Sequence, residues 1–349
     1  MSLLLPENDL DWILSQTSGF WSKHQGGRIF ITGGTGFIGN WLIQTVQRAN
    51  DVLGSRMELI ALSRDPQSAQ QRHPSVLKRS DIRMLSGDVT SFDFPQGPVD
   101  LCIHAATDIS NPNKASCELD LFDSIVSGTR RVLDMSRQQG VTRFLLLSSG
   151  AVYGIQPSHL IHVPETYEGA PNACDISAAY GNGKRAAEWL TCAYAGQGHF
   201  EATIARIFAL VGPGIPLNGP FAAGNFIRDA IARAPIVIEG DGRTIRSYLY
   251  MADLCVWLFR LLESGQSGEA YNIGSENPLS ILDLAEEVNR VSGSTGPIEV
   301  RRPSKPNTAP PRYVPNTSKA RQLLQLQEYT TLHRALHNTV EWVRLARNS

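Results

Sequence analysis

Short apolar runs alternate with amphipathic stretches along the first two hundred residues, and that alternation predicts the architecture. Residues 28–32, 58–63, 82–85, 99–103, 143–147 and 202–208 read as six strands, several of them apolar throughout, as in parallel strands covered on both faces. Trp41, Leu42, Thr45 and Val46 follow the first strand at helical spacing. Ile125, Val126, Val132, Leu133 and Met135, around Gly128-Thr129, mark a helix over about 119–139, and another opens at Tyr180 and runs through Trp189 and Leu190. Strands alternating with helices predict an α/β fold with a doubly wound parallel sheet.

The flanking segments read differently. Leu10, Ile13, Leu14 and Thr17 have helical spacing, with Asn8 or Asp9 as cap and Gly26-Gly27 as the end, so residues 1–27 form an N-terminal helical extension. Residues 66–80 are polar and read as irregular, and Pro95 to Pro98 as a loop. Beyond residue 210 the pattern is mixed. A Gly/Pro-rich loop (212–224) precedes a helix beginning near Asn225, then a Gly240-Asp241-Gly242 hairpin turn and the segment Arg246 to Tyr250. A helix from Asp253, the segment Tyr271 to Gly274 and a helix started by Ser280 follow. The Pro- and Arg-rich stretch 301–317 reads as loop, and a last helix spans about 332–345. The expected division is 28–210 for dinucleotide binding and 211–349 for a smaller α+β substrate region, with some segments returning to the sheet.

Composition narrows the classes. The chain has 349 residues, long enough for a large core, with 42% hydrophobic and 19% charged residues. A net charge of -1 gives no electrostatic reason to bind nucleic acid or an anionic membrane. Cys102, Cys117, Cys174, Cys192 and Cys255 form no C-x-x-C pair and no zinc-like spacing, so buried thiols and no metal are expected. No apolar run is long enough to cross a bilayer. Leu3-Leu4-Leu5 runs at once into Pro6-Glu7-Asn8-Asp9, unlike a secretory signal, which leaves the cytoplasm as the expected compartment.

The first strand carries the strongest chemical signal. Gly33, Gly36 and Gly39 follow it at G-x-x-G-x-x-G spacing and lead directly into the helix. Gly33 allows the sharp turn, Gly36 lets a pyrophosphate approach the backbone, and Gly39 lets helix and strand pack closely. The helix start, with Thr35, Phe37 and Ile38, offers unpaired N–H groups and a positive dipole end to phosphate. Strand before and helix after make this a Rossmann-type dinucleotide site rather than a plain glycine turn. At the end of the second strand stand Ser63-Arg64-Asp65. A hydroxyl and a phosphate-pairing fork, with no carboxylate at the last strand position, favour NADP(H) over NAD(H). The alternative is that Arg64 is a solvated charge and Asp65 takes the ribose. Asp88 and the Val89 amide read as an adenine contact, and Ala105 and Ala106 as small residues that let the cofactor pass; His104 reads as packing.

Ser149 at a strand end and Tyr180 with Lys184 at i, i+4 form a proton-and-hydride set. A lysine ammonium and a positive nicotinamide would favour the phenolate of Tyr180. Tyr180 would then exchange a proton with a sugar oxygen as hydride moves, Ser149 would bond the same oxygen, and Lys184 would hold the nicotinamide ribose.

Together T-G-G-T-G-F-I-G, H-A-A, S-S-G-A-V-Y-G, Y-G-N-G-K and Y-N-I-G resemble the extended short-chain dehydrogenase/reductases that act on nucleotide sugars, over about residues 28–325. These include 4-epimerases, 4,6-dehydratases and 4-keto-sugar reductases. The resemblance implies Ser149, Tyr180 and Lys184 as the catalytic set, and Arg246 and Arg312 as guanidinium forks for a sugar diphosphate. It also implies Asn225 and Thr107 as substrate contacts, and a homodimer through a four-helix bundle of the 119–139 and Tyr180 helices. Departures sharpen it. The 4,6-dehydratases carry Asp-Glu after the catalytic hydroxyl residue, and the decarboxylases a Glu; here stand Gly150 and Ala151, which move no proton. Ala209, Ser247 and Gly183 replace a usual Asn, Asp and Ser. The expectation is an NAD(P)-dependent oxidoreductase of deoxysugar biosynthesis that reduces an NDP-4-keto-6-deoxyhexose. A C4 epimerase with tightly held NAD is the alternative, and a non-catalytic NADP sensor a more distant one.

Overall fold

A computed structural model describes residues 4–107, 118–304 and 308–348. Two helices, α1 (Glu7–Gln16) and α2 (Ser18–Lys23), come first. Leu10, Ile13, Leu14, Phe20 and Trp21 are buried, so the extension is part of the core. No side chain caps α1: Pro6 holds the N-cap place and Asp9 instead accepts a 2.5 Å hydrogen bond from Tyr250. Thr17, not Gly26-Gly27, separates the helices; its hydroxyl donates to the Ile13 carbonyl and accepts from the Trp21 indole.

The expected α/β alternation follows: β1 (Arg28–Thr32), α3 (Phe37–Leu53), β2 (Glu58–Ser63), α4 (Pro66–Arg72), α5 (Pro74–Leu77), β3 (Ile82–Ser86), β4 (Leu101–His104), α6 (Glu118–Gln139), β5 (Arg143–Ser149), α7 (Ala179–Ala195) and β6 (Glu201–Ile207). The polar stretch 66–80 is therefore two short helices rather than irregular chain. Each starts on a proline at its first helical position, and Asp65 caps α4 by accepting from the Ser68 amide.

The second half has short strands: β7 (Leu210–Val211), α8 (Ala222–Ile231), β8 (Ile236–Ile238), β9 (Ile245–Arg246), β10 (Leu249–Tyr250), α9 (Met251–Ser264), β11 (Ala270–Ile273), β12 (Leu279–Ser280), α10 (Ile281–Ser292), β13 (Ile298–Val300), β14 (Arg312–Tyr313), α11 (Ser318–Leu324) and α12 (Leu332–Asn348). Gly240 to Gly242 is no hairpin: β8 pairs with β13, while β9 pairs with β12 and β14. The described part of 301–317 includes β14, so it is not all loop. Ser280 caps α10 through a reciprocal capping box with Asp283.

Seven parallel strands form the main sheet in the order β11-β6-β5-β4-β1-β2-β3. Successive side chains point to opposite faces. Ile29, Ile31, Leu59 and Ala61 therefore join α1, α3 and α9 in one core, while Phe30, Ile60, Phe144 and Leu146 pack under α6 and α7. The sheet is covered on both sides, and the carboxyl ends of β1, β4 and β5 open onto one crevice, where ligands bind in such folds. No described helix is long and apolar enough to cross a membrane.

Candidate active site

The turn after β1 is built from backbone. Gly33 has φ +68° and lies so close to the end of β4 that a Cβ would stand 2.8 Å from the Ala105 carbonyl. A Cβ on Gly39 would stand 2.2 Å from the Gly33 carbonyl oxygen. Gly36 is the N-cap of α3, whose first amides face the crevice with no side-chain cap. Thr32 stitches the walls together, accepting from the amides of Ala105 and Ala106 at 3.1 Å each. Its proton goes to Nδ1 of His104, 2.7 Å away, and Nε2 of His104 meets Thr129, whose own proton goes to the Ile125 carbonyl. His104 is thus neutral with its hydrogen on Nε2, and burial pushes its pKa down to about 3. It is a packing residue, at the end of a strand rather than in a loop. The cradle fits a dinucleotide pyrophosphate.

The residues read as adenosine contacts are placed less simply. Ser63 accepts weakly from the Asp65 amide at 3.3 Å, and the Asp65 carboxylate is taken by the cap of α4. Arg64 is exposed beside them. One oxygen of Asp88 closes a turn onto Thr90. Val89 packs against Gly128 of α6.

At the end of β5 the chain turns into a 3-10 segment, Gly150–Tyr153, with Ser149 capping it by accepting from the Ala151 amide at 3.1 Å. Gly150 leaves no room for a side chain, because a Cβ would stand 2.6 Å from the Phe208 ring. Helix α7 brings the Tyr180 hydroxyl close enough to Ser149 for the two to interact, and Lys184, one turn on, donates to the Leu147 carbonyl at 2.8 Å. Gly183 lets α7 lie close to Ile125 of α6. The three residues expected to act together are therefore adjacent. Burial pushes Tyr180 up to about 12, so without a nicotinamide charge the phenol keeps its proton; the expected shift toward phenolate is one that a bound nicotinamide would have to supply. Burial pulls Lys184 down to about 8, opposed by the charge of Glu188.

On the far side of the crevice, β14 lies beside β9 with Tyr313 opposite Arg246. The Arg246 guanidinium lies 5.4 Å from the centre of the Tyr313 ring. The buried Nε of Arg312 has no hydrogen-bond partner, an unsatisfied cationic donor that suits an anion. Asn225 sits inside the first turn of α8 rather than at its start, and its amide clasps the backbone of Gly219. It shapes the loop before the helix. Thr107 ends the described part of its segment with its hydroxyl on the Ala106 carbonyl. Ser247 is buried with its hydroxyl unpartnered, and Cys117 lies outside the described residues.

Two features escaped the sequence reading. The Tyr313 hydroxyl stands 3.4 Å from Ser149, and the Gly150 and Ala151 amides face it. No local signal reveals a contact between residues so distant in the chain. Glu188 is the second. It continues the Tyr180–Lys184 ladder by another turn, a spacing that was legible, and it pairs with Arg206 at 2.7 Å.

Comparison with known proteins agrees with this geometry. A sequence model described as the NAD dependent epimerase/dehydratase family matches residues 29–274. UDP-glucuronic acid decarboxylase 1 of Arabidopsis thaliana is 31% identical over 327 residues, covering 90% of this chain and 69% of that protein. UDP-glucuronic acid decarboxylase 2 of the same plant is 29% identical over 316 residues, covering 90% and 67%. Among solved structures, UDP-glucose 4-epimerase with UDP-glucose from Thermotoga maritima superposes with a TM-score of 0.76 at 20% identity, over 92% of this chain and 99% of that one. dTDP-glucose 4,6-dehydratase from Bacillus anthracis in complex with NAD gives 0.76 at 20% identity, over 92% and 98%.

Proposed function

The chain belongs to the NAD dependent epimerase/dehydratase family, and on that premise we propose that it reduces the 4-keto group of an NDP-4-keto-6-deoxyhexose with NADPH. The observation that carries this reading is the meeting of Ser149, Tyr180 and Lys184 at a dinucleotide cradle where Gly150 and Ala151 supply no carboxylate. Water elimination and decarboxylation need an acid or base beside the sugar that these two residues do not provide. Hydride transfer needs only the three residues present.

The dihydronicotinamide, when bound, supplies the hydride. Ser149 orients the keto oxygen, and Tyr180 donates its phenolic proton to that oxygen, leaving an alcohol on the sugar and a phenolate on the enzyme. A tyrosine held protonated by burial suits this direction, and the Lys184 ammonium steadies the phenolate once formed. Arg246 and Arg312 would hold the diphosphate bidentately. The use of Asp65 as a helix cap favours NADPH, because it turns away the carboxylate that would read a ribose 2′-OH and leaves the Arg64 charge nearby.

A C4 epimerase is the second reading, favoured by the same Ser149–Tyr180 pair, which serves removal and return of hydride equally well. Denaturing the purified protein and identifying released nucleotide by mass spectrometry separates the two. An empty protein that oxidises NADPH with dTDP-4-keto-6-deoxyglucose supports the reductase. Near-stoichiometric NAD together with interconversion of UDP-glucose and UDP-galactose overturns it for the epimerase. Exposed Leu119 on α6, Trp189 on α7 and Ile176 just before α7 favour a homodimer through a four-helix bundle; sedimentation as a monomer would refute it.

A further inference from the structure

Tyr180 and Ser149 stand on different elements, α7 and the end of β5, so the distance between their hydroxyls depends on how the helix is seated along the strand. Two buried contacts seat it. Lys184 donates to the Leu147 carbonyl at 2.8 Å, and one turn further on Glu188 accepts from the Ser148 hydroxyl at 2.5 Å. Tyr180, Lys184 and Glu188 lie on one helix face. Leu147 and Ser148 are the two residues immediately before Ser149. Lys184 and Glu188, one and two turns beyond Tyr180, thus hold the two residues that precede Ser149.

We propose that Ser148 and Glu188 form a clamp that sets the separation of Tyr180 from Ser149, and are positioning residues for the reaction. The proposal rests on Tyr180 and Ser149 being the reacting pair.

Glu188 itself is fixed from two sides. Ser148 and Arg206 are register partners across β5 and β6, and both reach the same carboxylate. Arg206 uses Nε and Nη2, at 3.0 and 2.7 Å, on its two oxygens. Nη1 of Arg206 donates to the Tyr153 hydroxyl at 2.8 Å, which donates in turn to Oδ1 of Asn272 on β11 at 2.8 Å. A carboxylate only 7% exposed is costly to bury alone, and here every partner is in place. The helix face that carries Tyr180 is therefore tied to three adjacent strands of the sheet. Small displacements of reacting groups cost large factors in rate.

Removing Glu188 would strand a buried guanidinium and unfold the site. Ser148 is the informative position, because its hydroxyl can be deleted while the ion pair stays. The assay is the reaction the wild type runs, either NADPH oxidation with dTDP-4-keto-6-deoxyglucose or interconversion of UDP-glucose and UDP-galactose. Ser148→Ala is expected to lower kcat about tenfold, the scale of a misplacement well under 1 Å, with KM for the sugar nucleotide and affinity for the cofactor unchanged. Ser148→Thr, which restores the hydroxyl, is expected to recover most of that loss. A Ser148→Ala enzyme with wild-type kcat overturns the clamp, and so does a loss that Ser148→Thr leaves uncorrected. Tyr180→Phe distinguishes failure of the clamp from failure of the reacting pair. If it is inactive while Ser148→Ala is normal, the clamp alone falls; if it turns over normally, the reacting pair falls and the clamp with it.

Discussion

The two walls of the crevice are made of different material. The cofactor wall is backbone: the turn from Gly33 to Gly39 and the amides of Ala105 and Ala106, bound together through Thr32 with no long side chain involved. The facing wall is side chain: Arg246 and Tyr313 are register partners on strands two residues long, and Arg312 precedes Tyr313 on the same strand. A backbone wall leaves no free rotamers, and a Cβ added at Gly33 or Gly39 would meet backbone at 2.8 or 2.2 Å. A side-chain wall can be recut one residue at a time.

The contrast is open to direct attack. Gly39→Ala should do the most damage, because its Cβ meets the Gly33 carbonyl oxygen at 2.2 Å and backbone must move. We expect loss of measurable cofactor binding and about 3 kcal/mol of stability, the upper range for overpacking, read by calorimetry and thermal melting. Arg312→Ala attacks the other wall. It should weaken sugar-nucleotide binding by about 2–3 kcal/mol, the scale of hydrogen bonds to a charged group, while leaving cofactor affinity and melting temperature alone. A fall in cofactor affinity there would show that the walls are not independent. Arg64→Ala is the mildest. It should cost NADPH about 1–3 kcal/mol, toward the lower end because the side chain is exposed, and NADH little. Equal losses for both would retire the 2′-phosphate role.

Much of the cofactor wall was legible because it is local. The strands Arg28–Thr32 and Glu58–Ser63 were read at their true bounds, since a parallel strand covered on both faces is an uninterrupted apolar run that a glycine turn or a charged pair ends abruptly. Ser149, Tyr180 and Lys184 were legible through spacing and position. The facing wall was not. The pairing of Arg312 with Ile245 joins residues far apart in the chain, and a two-residue strand has no periodicity to read. The false hairpin at Gly240 to Gly242 has the same origin: the turn was real, but its flanking strands found partners elsewhere. The helices in 66–80 lie in a polar stretch with no apolar period to read, and only Pro66 and Pro74, each well placed to start a helix, mark them. What spacing alone does not reveal is the loss of water around the Tyr180 ring, which raises its pKa while no cofactor is bound.

The strand β11 has a consequence for how the molecule is made. It lies against β6 as the outermost strand of the main sheet, yet it is encoded after β9, the short strand that carries Arg246. While the chain is being synthesised, β6 presents an open row of amides and carbonyls until residues 270–273 emerge from the ribosome. Such an edge is a template for unwanted pairing. A fragment ending near residue 210 would carry it permanently, and would be prone to clump rather than to bind nucleotide. The nucleotide cradle is therefore not a detachable part, because the sheet beneath it is finished by chain that has already passed through the sugar side.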